Sequence, residues 1–197
     1  MRVAIVDYGV GNIHSLTTAF ESVGAHCMVV QGAEFAAADA VVLPGVGNFA
    51  PAAKTIAPFR DELVAAISTG MPCLGVCLGM QLLLDSSEEG AGLGLGVIPG
   101  RVRRLRANRV PHMGWSSVDN DGESLLSESG LDVAYFANGF VCEPLESSSI
   151  VAWTQHESDR FASVIRAGTV VGTQFHPEKS SQHGLRFLQA FLKEIQL

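Results

Sequence analysis

Gly75-Val76-Cys77-Leu78-Gly79 forms a G-x-C-x-G pattern between a short apolar run, residues 72–76, and a helical pattern that starts at Leu78. It is the thiol counterpart of the G-x-S-x-G nucleophile elbow, in which a strand turns sharply into a helix and holds the nucleophile above a sheet edge. The flanking glycines leave room for such a turn, which strains the backbone at the nucleophile. Free N–H groups and the dipole at the helix start favour a thiolate at Cys77. A free cysteine is more often a small apolar core residue; the strand–turn–helix context favours the nucleophile.

A thiol nucleophile needs a base, and the base needs an orienting partner. Of six histidines, only His176 follows a strongly apolar strand, residues 170–175, and Pro177 and Glu178 come directly after it. Open α/β sheets gather their sites at the carboxyl ends of strands. An extended chain at Pro177 points His176 and Glu178 the same way, so the carboxylate accepts from the imidazole and fixes its tautomer. His-Pro-Glu alone could also be an ordinary surface turn, the less favoured reading; beside the elbow, Cys77–His176–Glu178 reads as a triad.

Pro44-Gly45-Val46-Gly47-Asn48 follows another apolar run and reaches the same edge. Gly45 and Gly47 permit peptides that aim N–H groups at a ligand, which makes this the expected oxyanion loop, with the Leu78 N–H as second donor. Gln81, one helical turn after Cys77, is placed to read a polar substrate group, although a helical glutamine commonly faces solvent. Residues 111–115 mix Met and Trp in an expected loop, which suits a protein contact or buried packing equally. Cys73, Cys77 and His176-Pro177-Glu178 imitate the halves of a zinc deaminase site, but the cysteines stand one residue too far apart and the order is reversed, so no metal is expected. Gly9-Val10-Gly11-Asn12 lacks the third glycine of a dinucleotide fingerprint.

The elements that position these residues alternate. Residues 2–7 read as a strand buried on both faces, and Ile13, Leu16, Phe20 and Val23 as a helix stopped by Gly24. Short buried strands follow at 27–30 and 40–43, then a helix over 59–68, the strand 72–76 and a helix from 78 towards 84. The second half reads as strands at 102–105, 133–141, 150–154, 162–166 and 170–175, with a hairpin turn at Ala167-Gly168, closed by an amphipathic helix bearing Leu185, Leu188, Phe191, Leu192 and Ile195. Four glycines between Gly90 and Gly96 suggest a flexible connection, and four arginines between Arg101 and Arg106 a strand with a solvated or interface edge. The expected fold is α/β: one domain, residues 1–197, with a mixed, mostly parallel sheet flanked by helices.

Composition narrows the function. Of 197 residues 47% are hydrophobic and 17% charged, which excludes a disordered chain. The net charge of −7 argues against nucleic acid as the main partner and leaves no evident basic pocket for a phosphorylated substrate. No run approaches the roughly 18–20 apolar residues of a membrane span. The first acid, Asp7, interrupts the opening apolar run, so no signal peptide is expected, and four cysteines without C-x-x-C spacing suit reduced thiols in a cytoplasm.

Residues 75–81 (GVCLGMQ), 44–49 (PGVGNF) and 174–181 (QFHPEKSS) together resemble the class I, triad-type glutamine amidotransferases, whose architecture is flavodoxin-like. Residues 6–12 (VDYGVGN) and 111–115 (PHMGW) narrow the resemblance to the glutaminase subunits of histidine biosynthesis. The glutaminase of pyridoxal phosphate synthase, a free-standing γ-glutamyl hydrolase and a non-catalytic scaffold domain are the competing readings. The resemblance implies that Cys77 attacks the side-chain amide of L-glutamine, His176 moves protons and Glu178 orients it. Backbone N–H groups near Val46 and Leu78 then hold the oxyanion, and water hydrolyses a glutamyl thioester. No cofactor is implied. The resemblance further implies that ammonia passes to a (β/α)8-barrel cyclase subunit in a heterodimer, which makes imidazole glycerol phosphate and an aminoimidazole carboxamide ribonucleotide. Asn12, Pro111, His112, Met113, Trp115 and Lys179 fall towards that cyclase. One departure stands out: relatives carry His-Ser-Tyr where this chain reads Ala137-Asn138-Gly139-Phe140, so Asn138 and Gly139 are expected to keep backbone contact with glutamine while side-chain contacts change.

Overall fold

Successive residues of the first strand face opposite apolar layers: Val3 and Ile5 join one, Ala4 and Val6 the other, and all four are fully buried. A strand with no polar alternation has to lie between two layers of helix. In this computed structural model, which describes residues 1–9 and 12–196, it does. In chain order the strands are β1 (Arg2–Val6), β2 (His26–Val30), β3 (Ala40–Leu43), β4 (Cys73–Val76), β5 (Ser86–Ser87), β6 (Gly100–Arg104) and β7 (His112–Ser117). They continue as β8 (Asp119–Asn120), β9 (Val133–Asn138), β10 (Phe140–Pro144), β11 (Ile150–His156), β12 (Asp159–Ala167) and β13 (Val170–Thr173). The helices are α1 (Ile13–Ser22), α2 (Phe49–Ile56), α3 (Arg60–Ser68), α4 (Leu78–Leu82), α5 (Ser124–Ser129) and α6 (Ser181–Glu194).

The main sheet has eight strands in the order β2-β1-β3-β4-β13-β12-β11-β8. The pairs from β2 through β13 are parallel, and β12, β11 and β8 continue it antiparallel. Leu16 and Phe20 of α1 pack with Phe187, Leu188 and Phe191 of α6 on one face. Phe49 of α2, Leu63 and Ile67 of α3, and Met80 of α4 cover the other. The α/β architecture with a mostly parallel sheet flanked by helices is therefore as the sequence implied.

Several elements differ from the sequence reading. Strand β2 is the sheet edge, with Val29 52% exposed, and so is only half-buried. The expected strand 133–141 is two: β9 pairs with β7, and after Gly139 the chain turns so that β10 pairs with β6 in a separate small sheet. Residues 112–117 are strand β7 rather than a loop, their partner β9 being distant in sequence. Helix α2 was not evident because Pro51 sits inside it, yet Pro51 falls in the first turn, where its missing N–H breaks no helical bond. The Gly90–Gly96 segment is not slack: the N–H groups of Gly94, Leu95 and Gly96 bond the carbonyls of Asp85, Leu82 and Leu84. A Cβ at Gly94 would lie 1.9 Å from the Leu84 oxygen, so the glycine serves close approach. Arg103 of the arginine run turns inward instead of lining a solvated edge, held by Asp159 through two hydrogen bonds of 2.7 and 2.8 Å. In the turn before α1, Gly9 has φ +78°, while Val10 and Gly11 lie outside the described residues.

Candidate active site

The registers bring three strand ends level. Leu43 of β3 stands beside Gly75 of β4, and Val76 of β4 beside Thr173 of β13. The loop after β3, the cysteine after β4 and the histidine beyond β13 thus meet at the carboxyl edge, where an α/β sheet offers its ligand crevice.

Cys77 occupies the elbow with φ 49° and ψ −99°, a conformation that costs a non-glycine residue about 1–3 kcal/mol. Its N–H donates to the Thr173 carbonyl at 2.6 Å, and its carbonyl accepts from the Gln81 N–H at 3.1 Å, so neighbouring elements impose the turn. The two flanking glycines serve close approach. A Cβ on Gly75 would meet the Gly79 backbone at 2.7 Å, and one on Gly79 would sit 2.0 Å from the Leu43 carbonyl.

His176 is fully buried. Its Nδ1 is 2.9 Å from Glu178 Oε1, and its Nε2 has no hydrogen-bond partner among the described residues. Burial opposes the imidazolium, but the Cys77 sulfur and the Glu178 carboxylate outweigh it and push His176 up to about 10. The protonated form of His176 is therefore favoured at rest. The segment Pro177–Lys179 is a turn of 3-10 helix rather than extended chain. The alignment of His176 with Glu178 comes instead from that turn, anchored by Ser180, whose hydroxyl donates to the His176 carbonyl at 2.7 Å.

Gly45, Val46, Gly47, Cys77, Leu78, Gln81, Asn138 and Gly139 all line one cavity of about 70 Å³. Hence every residue the sequence assigned to the oxyanion or to glutamine contact borders the same space. The N–H groups of Val46 and Leu78 have no partner among the described residues. Gln81 Nε2 and Asn138 Nδ2 both donate to the Phe140 carbonyl, at 3.2 and 3.1 Å, so the two amides brace this wall. Asn138 Oδ1 is buried without a partner, which leaves an acceptor beside the cavity.

The sequence reading missed three groups here. Gln174 Nε2 lies 3.4 Å from Cys77 Sγ, and a glutamine ending an apolar strand was its only signal. Glu89 also lines the cavity and accepts the Phe49 N–H at 2.7 Å, starting α2. The Tyr8 hydroxyl donates to the Pro44 carbonyl at the root of the glycine loop. Nothing local marks either of the last two, because both contacts join distant segments.

The residues expected at a partner interface divide. Met113 and Trp115 are 65% and 54% exposed. Trp115 meets the Tyr135 ring edge-on at 6.0 Å, and Lys179 Nζ lies 5.9 Å from the centre of the same ring. Pro111 is exposed, and Asn12 caps α1 by accepting the Ser15 N–H. His112 faces inward, 3% exposed, stacked on His156 at 4.2 Å and on Phe136 at 5.1 Å. Alternation along β7 sends it to the side opposite Met113, so its ring is not a surface contact. Burial, aided by His156, pushes its pKa down to about 4.

A thiol on a strained elbow, an imidazole held by a carboxylate, and a small cavity lined by Val46 and Leu78 are the parts that a cysteine acyl-transfer site on an α/β sheet would need. The model of the class-I glutamine amidotransferases matches residues 4–195, and the chain belongs to that family. It is 40% identical to the imidazole glycerol phosphate synthase subunit HisH of Microcystis aeruginosa, over 98% of this chain and 96% of the relative. It is 43% identical to the HisH subunit of Natronomonas pharaonis (97% and 94%) and 42% identical to that of Methanothermobacter thermautotrophicus (98% and 98%). Among solved structures, one described as a glutamine amidotransferase superposes with a TM-score of 0.78 at 20% identity over 99% of each chain. A chain of PurLQS from Thermotoga maritima gives 0.79 at 18% identity over 98% of each. These two likenesses speak for the fold.

Proposed function

We infer that this chain is the glutaminase subunit of imidazole glycerol phosphate synthase, releasing ammonia from L-glutamine for histidine biosynthesis. The observation that carries this reading is Cys77, which lines a cavity together with Val46 and Leu78 and acts on the buried His176–Glu178 pair, in a chain about 40% identical to HisH subunits along its length. The same triad would serve the glutaminase of pyridoxal phosphate synthase or a free-standing γ-glutamyl hydrolase; the identity to HisH subunits along the whole chain favours the histidine pathway.

In the mechanism that follows, the Cys77 thiolate attacks the amide carbon of glutamine, and the oxyanion forms between the Val46 and Leu78 N–H groups. The His176 imidazolium, fixed by Glu178, gives its proton to the departing nitrogen, and ammonia leaves as the thioester forms. Neutral His176 then takes a proton from water, which attacks the thioester and frees glutamate. Glu89 places a carboxylate in the same cavity, suited to the substrate's α-ammonium group.

The released ammonia is passed to a (β/α)8-barrel cyclase rather than to solvent. Exposed Met113, Trp115 and Val133, with Lys179 beside them, make an apolar face with a cationic rim. That face lies next to the triad, because the Tyr135 carbonyl accepts the His176 N–H at 2.9 Å. No described helix is long and apolar enough to cross a membrane, and the four cysteines are free, which suits a cytoplasmic enzyme. The test is Cys77→Ala in complex with the cyclase. Cyclisation supported by glutamine is lost while cyclisation supported by added ammonium persists; glutamine-supported turnover by the variant would refute the reading.

A further inference from the structure

We propose that Tyr8 is a positioning residue for the oxyanion: its hydroxyl, donated to the Pro44 carbonyl, fixes the peptide from which the Val46 N–H is reached. The inference rests on the glutaminase reading above. Strands β1 and β3 are parallel neighbours with Ile5 beside Val42, so Tyr8 and Pro44 emerge at the same edge. Tyr8 is buried, and its hydroxyl makes this one bond among the described residues. Burial, with the Cys77 and Cys73 sulfurs adding to it, holds the phenol well above its ordinary pKa, so it remains a donor at any working pH.

The Pro44 carbonyl belongs to the planar peptide between Pro44 and Gly45. Only the two dihedrals of Gly45 separate that plane from the peptide carrying the Val46 N–H. Gly45 itself is wedged against the elbow strand, since a Cβ there would fall 2.5 Å from the Val76 carbonyl. At its other end the loop is held by Glu89 through the Phe49 N–H. The donor therefore sits between two fixed points, and Tyr8 is the nearer in sequence. Without the hydroxyl, that peptide plane loses one of its restraints, and the Val46 N–H would be held less firmly for the developing charge.

Tyr8→Phe keeps the ring and removes only the donor. In the full chain with its cyclase, we expect kcat for glutamine to fall about tenfold, with KM within about twofold, as for an interaction made in the transition state. Alkylation of Cys77 by iodoacetamide is displacement at a saturated carbon and builds no oxyanion, so its rate should stay within about twofold of the parent. A wild-type kcat in Tyr8→Phe would overturn the role. Equal losses in alkylation and glutamine turnover would also overturn it, by showing that the elbow itself had moved. Cys77→Ala separates the two levels: if it still hydrolysed glutamine, the glutaminase reading would fall, whereas an active Tyr8→Phe beside a dead Cys77→Ala removes this inference alone.

Discussion

Glu178 presents Oε1 to His176 Nδ1 at 2.9 Å, while its second oxygen, Oε2, is buried with no partner among the described residues. All of this carboxylate's hydrogen bonding goes to one imidazole. Such an arrangement suits the proposed role of Glu178 in orienting His176 better than it suits a purely structural contact, which would use both oxygens.

Glu178→Gln keeps the shape and removes the charge. Glutamine turnover should fall by about 10²–10⁴-fold, the range expected when a base loses its anionic orienter. Thermal melting should change little, because no other described group depends on the carboxylate. Steady-state glutaminase rates paired with melting curves check this, and near-normal turnover would be the contrary result.

The second prediction concerns protons. His176 stands at about 10 in the folded chain, above the roughly 6.5 of a free histidine. Its contribution to stability is therefore complete below about pH 6.5 and is lost as pH rises through about 10. The Cys77 sulfur heads the causes that raise it. Cys77→Ala should consequently lower the pKa of His176, with the titration read from its imidazole NMR shifts. Superimposable titrations in the two proteins would contradict the effect of the Cys77 sulfur on His176.

Arg103 and Asp159 are both buried, and Asp159 also accepts the Arg106 N–H at 2.7 Å. Arg103→Met leaves that buried carboxylate without its cation and should cost about 3–5 kcal/mol in chemical denaturation. The double variant Arg103→Met, Asp159→Leu should recover most of the loss, because no buried charge is left unpaired. If single and double variants were equally unstable, the pair would not be the cause.

What could be read in the sequence depends on how local its cause is. The elbow was legible because Gly75, Cys77 and Gly79 carry their geometry within five residues. His176 and Glu178 were legible for the same reason, although the 3-10 turn that aligns them was read as extended chain. Strand β7 was hidden because its partner β9 lies about twenty residues away and Pro111 and Gly114 suggest a loop. His112 was expected at the interface from the resemblance of residues 111–115, which does not show that alternation along β7 turns its ring inward. Tyr8, Glu89 and Gln174 are polar side chains whose partners come from other strands or loops, so no spacing rule reaches them. Arg103 looked solvated because Asp159, 56 residues on, had no visible relation to it.

The most direct measurement of the central claim is the mass of the chain quenched in acid during glutamine turnover with the proposed cyclase partner. A glutamyl adduct on the peptide containing Cys77, absent in Cys77→Ala, is the predicted result. Continued glutamine consumption by wild type with no adduct, together with undiminished consumption by Cys77→Ala, would contradict it.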